Sequence, residues 1–393
     1  MNIKQIAEKN KEYIIERRRY FHQYPELSLE EFDTTKTLII ELESMSIKTM
    51  TYDGLQGVVG IIKGGKPGKT VMLRADIDAL PIEEHTGLTY ESKNKGKMHA
   101  CGHDAHMAML LGAAKILSEI KNELEGTVKL LFQSGEETTY GARLYIEKGC
   151  LDGVDAIFGM HIWGTLDAPY INLEKGNRMA SCDNFKIIVE GTSAHGSAPH
   201  AGNDAIVAAA SAVMNIQTIV SRLNDPLNPL VVTVGTMKGK SGQRFNIISN
   251  YVEMEGTIRT FSTEMRAKMK DILKKIIDDS ADILGCKINL EYMECLNPII
   301  NTDDDLHRIA TNAATKLYGR ESLKEMPTLM GSEDFALFME KVPGYYGFIG
   351  ARNEKKGIIY HNHNDKFTVD EDSLERGAAL YAQFAYDYLA DKK

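Results

Sequence analysis

The chain has 393 residues, 43% of them hydrophobic and 26% charged, with a net charge of −9. That length predicts roughly two to three domains with a sizeable core, and the acidic balance argues against nucleic acid or an anionic membrane as a partner. Five cysteines at wide spacing, Cys101, Cys150, Cys182, Cys286 and Cys295, imply no disulfide framework.

The N-terminal stretch "MNIKQIAEKNKEYIIERRRYFHQYP" has no apolar signal core. No run is expected to reach the eighteen or so apolar residues that span a membrane. Cytoplasmic localisation is the expectation. Residues 3–22 read as one charged helix ending near "HQYPE". From about 57 to 163, strand-like and helical runs alternate. "GVVGIIKG", "TVMLRAD", "GTVKLLFQ" and "DAIFGM" read as strands, and "HMAMLLGAAKILSEI" carries apolar residues at helical spacing. This alternation predicts an α/β layer around a mixed, largely parallel sheet.

Residues 183–293 follow another rhythm. "NFKIIVEG" is a strand, "DAIVAAASAVMNIQTIVSRL" a helix, and "PLVVTVGTMKG" and "NYVEMEGTIRTF" are strands. "TEMRAKMKDILKKIIDDSADIL" is a helix and "KINLEY" a strand. The order βαββαβ is that of a ferredoxin-like unit, inserted in a catalytic domain made of 1–182 and 294–393. The chain closes with "YYGFIGA" as a strand and "DSLERGAALYAQFAYDYLA" as a helix.

In open α/β sheets, sites lie beyond the carboxyl ends of strands. "VMLRADIDALP" ends in Asp76 and Asp78, "VKLLFQSGEE" in Glu136 and Glu137, and "IFGMHIW" runs into His161. "MHACGHDAH", with three histidines, Cys101 and Asp104 in nine positions, begins the helix between the first two. Thiolate and imidazole suit zinc, and carboxylates also admit manganese or cobalt. Two such cations acidify a water and polarise a carbonyl. Of two adjacent glutamates, one can coordinate while the other moves a proton. Each piece also has a plainer reading: a helix cap with solvated histidines, a solvated "GEE" loop, a core histidine, capping aspartates. The conjunction at successive strand ends favours the metal site.

"FHQYPELSLEEF", "LRADIDALP", "MHACGHDAHMAMLLGAA", "FQSGEE", "GMHIW", "GTSAHGSAPHAGNDAI", "FNIIS", "GTIRTF", "GSEDFALF" and "HNDKFTVDEDSLERGAALYA" occur in this order. Over nearly its whole length the chain resembles the M20 metallopeptidases, in the aminoacylase/amidohydrolase branch. That branch includes hippurate hydrolases, N-acetyldiaminopimelate deacetylases and plant auxin-conjugate hydrolases. The resemblance implies two divalent metal ions per subunit, Zn²⁺ or Mn²⁺, with Co²⁺ or Ni²⁺ as further options. It implies Cys101 as the bridging ligand, His103, Glu137 and His161 as further ligands, and Glu136 as general base. The last ligand, counted back from Phe367, would be His363 rather than His361. Asp76 would orient a ligand or its backbone, and Asp104 would support the loop.

In the smaller domain, a lid that often dimerises in this family, His195 would stabilise the oxyanion. Asn246 and Arg259 would hold a substrate carboxylate, for which a planar guanidinium fork is suited. Two segments depart from the family's pattern. Ser134-Gly135 stands where Pro-Ala is usual, and Gln243-Arg244 where small residues are usual. An arginine at 244 would suit a second substrate carboxylate, or simply face solvent.

The implied activity is hydrolysis of the amide of an N-acyl amino acid or a related peptide-like conjugate, by a homodimer or higher homo-oligomer. A dipeptidase or carboxypeptidase is the alternative of the same class. A catalytically silent metal- or ligand-binding protein is the alternative of another class. A nicotinamide dehydrogenase is set aside because no G-x-G-x-x-G follows a predicted strand.

Overall fold

The computed structural model describes residues 2–239 and 244–392. It forms two compact units, Met1–Gly176 with Asn301–Pro327 and Asp334–Lys393, and Asn177–Ile300 with Thr328–Glu333. The crossings fall a few residues outside the expected boundaries. The second unit also claims Thr328–Glu333, because the Leu329 N–H donates to Arg178 O and Leu329 O accepts the Ala180 N–H, both at 3.0 Å. Pairing between segments so far apart leaves no local trace in the sequence.

The chain begins with α1 (Ile3–Lys9), α2 (Lys11–Gln23), α3 (Phe32–Ser44), β1 (Lys48–Met50), β2 (Gly57–Lys63) and β3 (Lys66–Asp76). Next come α4 (His103–Glu119), β4 (Glu125–Gln133), α5 (Gly141–Glu147), β5 (Ala156–Asp167) and β6 (Ile171–Asn172). Then β7 (Gly176–Met179) leads to β8 (Cys182–Glu190), α6 (Ala205–Thr218), β9 (Leu230–Gly239), β10 (Tyr251–Thr260), α7 (Thr263–Asp282) and β11 (Lys287–Leu296). The chain returns through β12 (Ile299–Asn301), α8 (Asp304–Tyr318), α9 (Phe335–Met339), β13 (Gly344–Arg352) and α10 (Asp372–Ala390).

The single helix expected over 3–22 is two. Asn10 ends the first, and its side-chain amide donates to Ile6 O at 2.8 Å. A short amide that competes for backbone carbonyls disfavours a helix interior.

In the first unit the sheet order is β1-β2-β4-β3-β5-β13-β6. The central strands β4, β3, β5 and β13 are mutually parallel, and the outer pairings β1–β2, β2–β4 and β13–β6 are antiparallel. The continuous apolar runs follow from this, since a parallel sheet covered on both faces needs apolar residues at successive positions. Helix α4 is buried almost throughout. It lies against α10 at two glycines, where a Cβ on Gly112 would come within 2.8 Å of the Ala378 Cβ and one on Gly377 would run into Met109. This tight packing fixes the start of α4 beside the carboxyl ends of β3 and β4 and against Ile162 within β5.

In the second unit the order β11-β8-β10-β9 is antiparallel throughout, the ferredoxin-like arrangement. Helices α6 and α7 pack on it through Ala205, Ala208, Ala209, Ala212, Met269, Leu273 and Ile277. The helical stretch Ala205–Leu223, with a mean hydropathy of 1.4, is long and apolar enough by composition to cross a membrane. Its alanine-rich face is core, and its other face exposes Ile206, Val207 and Met214.

Candidate metal centre

The turn into α4 places the first donors. Gly102 has φ +96, and a Cβ there would meet Ile162 Cγ2 at 2.5 Å. Glycine therefore permits the sharp step from Cys101 to His103. The Cys101 Sγ lies 3.3 Å from His161 Nε2 and 3.3 Å from His363 Nε2. Cys101, His103 and His161 each offer a ligand atom within 4.8 Å of the others. So do Cys101, Glu137 and His363, and so do His103, Glu136 and Glu137. Cys101 thus belongs to two donor trios that share no other residue. His161 is not at a strand end as expected but inside β5, which continues to Asp167.

Neighbouring groups aim these donors. The His103 Nδ1–H points to Asp78 Oδ1 at 3.2 Å. That leaves Nε2 buried, without a hydrogen-bond partner among the described residues. The His161 Nδ1–H donates to Ile162 O at 2.7 Å, freeing its Nε2 lone pair. Glu137 Oε1 is buried without a hydrogen bond among the described residues and sits 3.3 Å from His363 Nε2. Buried polar atoms are rarely left unpaired, and histidine ligands commonly engage their second nitrogen in this way. The donor set fits thiolate- and imidazole-binding divalent cations.

Electrostatics point the same way. Burial and the carboxylates of Glu137, Glu136 and Asp76 push the Cys101 thiol well up. Burial opposes charge on His103, yet Asp76, Asp78 and Glu137 lift it to about 10. Burial, with His106 beside it, holds His161 neutral, the form that coordinates. The cluster is an anionic pocket that stabilises positive charge.

Asp76, His103 and His106 also converge. His106 is nonetheless fully engaged: its Nε2 accepts the Ile162 N–H at 2.8 Å and its Nδ1–H donates to Asp76. Asp76 also pairs with the buried Arg74 at 2.7 Å. Burial works against its ionisation, but His103, Arg74 and His106 hold its carboxyl well below the usual range. Arg74 in turn donates to Gln133 and Asp334, each at 2.8 Å. Asp104 is paired with Arg18 at 2.9 Å and His22 at 2.7 Å, and His22 reaches Glu84 at 2.9 Å. Glu136 is buried, and its Oε1 accepts the Asp334 N–H at 3.4 Å.

Sequence reasoning missed Arg74, Asp334, His22 and Glu31. The one local signal was Arg74-x-Asp76 on a strand, which puts both side chains on one face. Glu31 is fully buried. Burial and the Asp78 charge push it up from an ordinary 4.5 to about 7. A carboxyl raised on folding binds its proton more tightly in the native state. Its contribution to stability is therefore fully present below 4.5 and is lost as pH rises from 4.5 to about 7, by about 3 kcal/mol. Urea titrations of metal-free Glu31→Gln and parent protein at several pH values should differ by that slope over this window. Equal slopes would exclude it.

In the second unit, His195 is exposed and its Nδ1 accepts the Ser197 N–H at 3.1 Å. That fixes the tautomer with Nε2–H free to donate. The Gly196 N–H donates to Asn246 O at 2.7 Å, bringing His195 and Asn246 together. Arg259, on β10, donates to Met330 O at 3.1 Å. Arg244 and His361 are exposed. Gln243 lies outside the described residues.

The sequence profile of peptidase family M20/M25/M40 matches residues 72–387. Thermostable carboxypeptidase 1 of Saccharolobus solfataricus is 42% identical over 384 residues, covering 96% of this chain and 95% of the relative. N-acetyl-L-cysteine deacetylase of Bacillus subtilis is 40% identical over 357 residues, covering 91% and 83%. The crystal structure of the Bacillus subtilis YXEP protein, a dinuclear metal-binding peptidase from the M20 family, superposes with a TM-score of 0.85 at 34% identity, covering 98% and 99%.

Proposed function

From the premise that the chain belongs to peptidase family M20/M25/M40, we propose that it releases a carboxylic acid and a free amino acid from N-acyl amino acids. It is a metal-dependent amide hydrolase. The observation that carries the reading is Cys101, common to two donor trios, with the buried Glu136 alongside.

Cys101, His103, Glu137, His161 and His363 would hold two divalent ions, zinc or manganese. Such ions supply Lewis acidity and make a water acidic near neutral pH. The chain's own groups then divide the work. Asp78 fixes the His103 ring through Nδ1. Asp76 holds His106, whose Nε2 ties down the backbone after His161. Glu136 accepts the proton of the attacking water and passes it to the departing amine. His195 offers its Nε2–H to the oxyanion. Arg259 and Asn246 grip the carboxylate of the amino-acid half.

The test is a mixed library of N-acetyl and N-aroyl amino acids against matched dipeptides. Released amines are identified by mass spectrometry on metal-loaded protein. Turnover confined to dipeptides would favour the peptidase reading, which the carboxypeptidase relative keeps in view. Metal binding without turnover on either set would favour a silent binding protein.

Arg259→Ala is expected to raise KM roughly 10-fold or more for substrates with a free carboxylate, the worth of a charge-assisted hydrogen bond. The matching carboxamides should barely change. Equal losses on both would remove Arg259 from substrate binding.

We also infer a homo-oligomer formed through the second unit. Its support is the exposed apolar face of α6 and the position of β9 at a sheet edge, since an unpaired edge is a template for a second strand. Light scattering should report a dimer or larger, and Met214→Lys should weaken it. A monomer at all concentrations sinks the idea. Cytoplasmic residence suits five free cysteines.

A further inference from the structure

Glu136 leaves the chain from an unusual turn. Residues Glu136–Thr138 form a single 3-10 turn flanked by Gly135 at φ +79 and Thr139 at φ +59. A Cβ on Gly135 would meet Leu29 Cδ2 at 2.7 Å. The turn is thus pressed against the segment Ser28–Glu31, and Glu31 grips it directly. The Ser134 Oγ–H donates to Glu31 Oε2 at 2.6 Å, and the Gly135 N–H donates to Glu31 Oε1 at 3.1 Å. On the other side the Ser134 N–H donates to the Tyr145 hydroxyl at 3.2 Å, which itself donates to Gln56 O.

A buried carboxylate is costly to keep. Here the cost is incurred at the two residues that launch Glu136. The link also accounts for the Ser134-Gly135 departure noted above. A proline at 134 would have neither the hydroxyl that reaches Glu31 nor the N–H that reaches Tyr145. Ser28, in the same segment, donates to Asp78 at 2.6 Å, and Asp78 accepts the Glu137 N–H at 3.0 Å. The two glutamates are therefore steadied through different partners, Glu136 by Glu31 and Glu137 by Asp78.

We propose that Glu31 is a positioning residue for Glu136, acting through its two hydrogen bonds to Ser134 and Gly135. This rests on the reading of Glu136 as the proton carrier. Small misplacements of a reacting group cost up to about 10²-fold in rate. Glutamine at 31 can replace both bonds, its carbonyl accepting from Gly135 N–H and its amide donating to Ser134 Oγ. Leucine can replace neither.

The experiment compares Glu31→Leu, Glu31→Gln, Ser134→Ala and Glu31→Leu/Ser134→Ala, with Glu136→Gln as control. Each variant is measured for metal content, kcat and KM on one N-acetyl amino acid. Glu31→Leu should keep two metals and an unchanged KM while kcat drops roughly 10–10²-fold. Glu31→Gln should restore kcat to within about threefold of the parent, because the bonds rather than the charge are what act. Ser134→Ala should lose kcat less than Glu31→Leu does, and the double variant should be no worse than Glu31→Leu, since both changes remove one shared bond.

If Glu31→Leu is poorly folded, Ser134→Ala and Glu31→Gln still decide. Full kcat in Ser134→Ala, or a Gln variant with both metals but parent-like KM and lost kcat, overturns the proposal. So does a kcat loss that merely follows metal loss. An active Glu136→Gln would instead overturn the reading of Glu136 itself. An inactive Glu136→Gln beside a fully active Glu31→Leu overturns the role of Glu31 alone.

Discussion

Glu136→Gln is expected to bind both metal ions and substrate normally while kcat falls roughly 10²–10⁴-fold. Glutamine keeps the size of the side chain and can still accept the Asp334 N–H that Glu136 Oε1 accepts at 3.4 Å. It cannot take a proton from water near neutral pH. The contrast with Glu137 is what gives the prediction force. Glu136 and Glu137 both fall within 4.8 Å of a ligand atom of His103, so geometry alone admits either as a ligand. Only Glu137 also joins Cys101 and His363 in a second trio. Glu137→Gln should therefore weaken one metal, with activity partly rescued by added metal. Metal content by elemental analysis and single-turnover rates, with metal titrated, separate the two. A Glu136→Gln protein that loses metal while Glu137→Gln keeps it would reverse the assignments. Normal turnover in both would remove the pair from the chemistry.

What was legible in the sequence was what sits near the end of an apolar run. Asp76, Asp78, Glu136, Glu137 and His161 follow or interrupt strand-like segments, and Cys101 and His103 precede a helical one. A parallel sheet brings such ends together. His363 has no such position. It was reached by counting from Phe367 within a family motif, and the structure places its Nε2 3.3 Å from Cys101 Sγ.

Residue type and spacing do not separate His103 from His106, which are identical and one helical turn apart; the family motif alone singled out His103. The difference is made by β5, whose Ile162 N–H occupies His106 Nε2, while His103 Nε2 is left without a hydrogen bond among the described residues. Likewise Arg74 and Asp334 meet across 260 residues, and Glu31 meets Ser134 across 103. Contacts of that range depend on the completed fold and have no periodicity to reveal them. The α/β alternation and the βαββαβ order were readable because each rests on local apolar spacing. The break at Asn10 was not, because one poor helix former inside a good pattern is usually tolerated.

Cys101→Ala is the substitution expected to cost the centre most. Removing Glu137 or His161 takes one donor from one side of the cluster, but Cys101 serves both trios. Its loss also leaves His161 Nε2 and His363 Nε2, each 3.3 Å from the sulfur, without the group that both face. Affinity for both ions should fall by more than roughly 10²-fold, beyond what losing an outer-shell partner costs. Activity at ordinary metal concentrations should be lost with it. The thiol of the metal-free protein, pushed up by burial and neighbouring carboxylates, must give up its proton for the cations to bind. Metal uptake by the parent should therefore release protons, and uptake by Cys101→Ala fewer of them. Cys101→Asp supplies a carboxylate that can still span two ions. It should restore binding but shift preference from zinc towards manganese, because oxygen is the harder donor. Native mass spectrometry gives the stoichiometry, and calorimetry in buffers of different ionisation enthalpy gives the proton count. If Cys101→Ala holds two ions at parental affinity, Cys101 is not the shared donor, and the centre must be built around His103 and the glutamates instead.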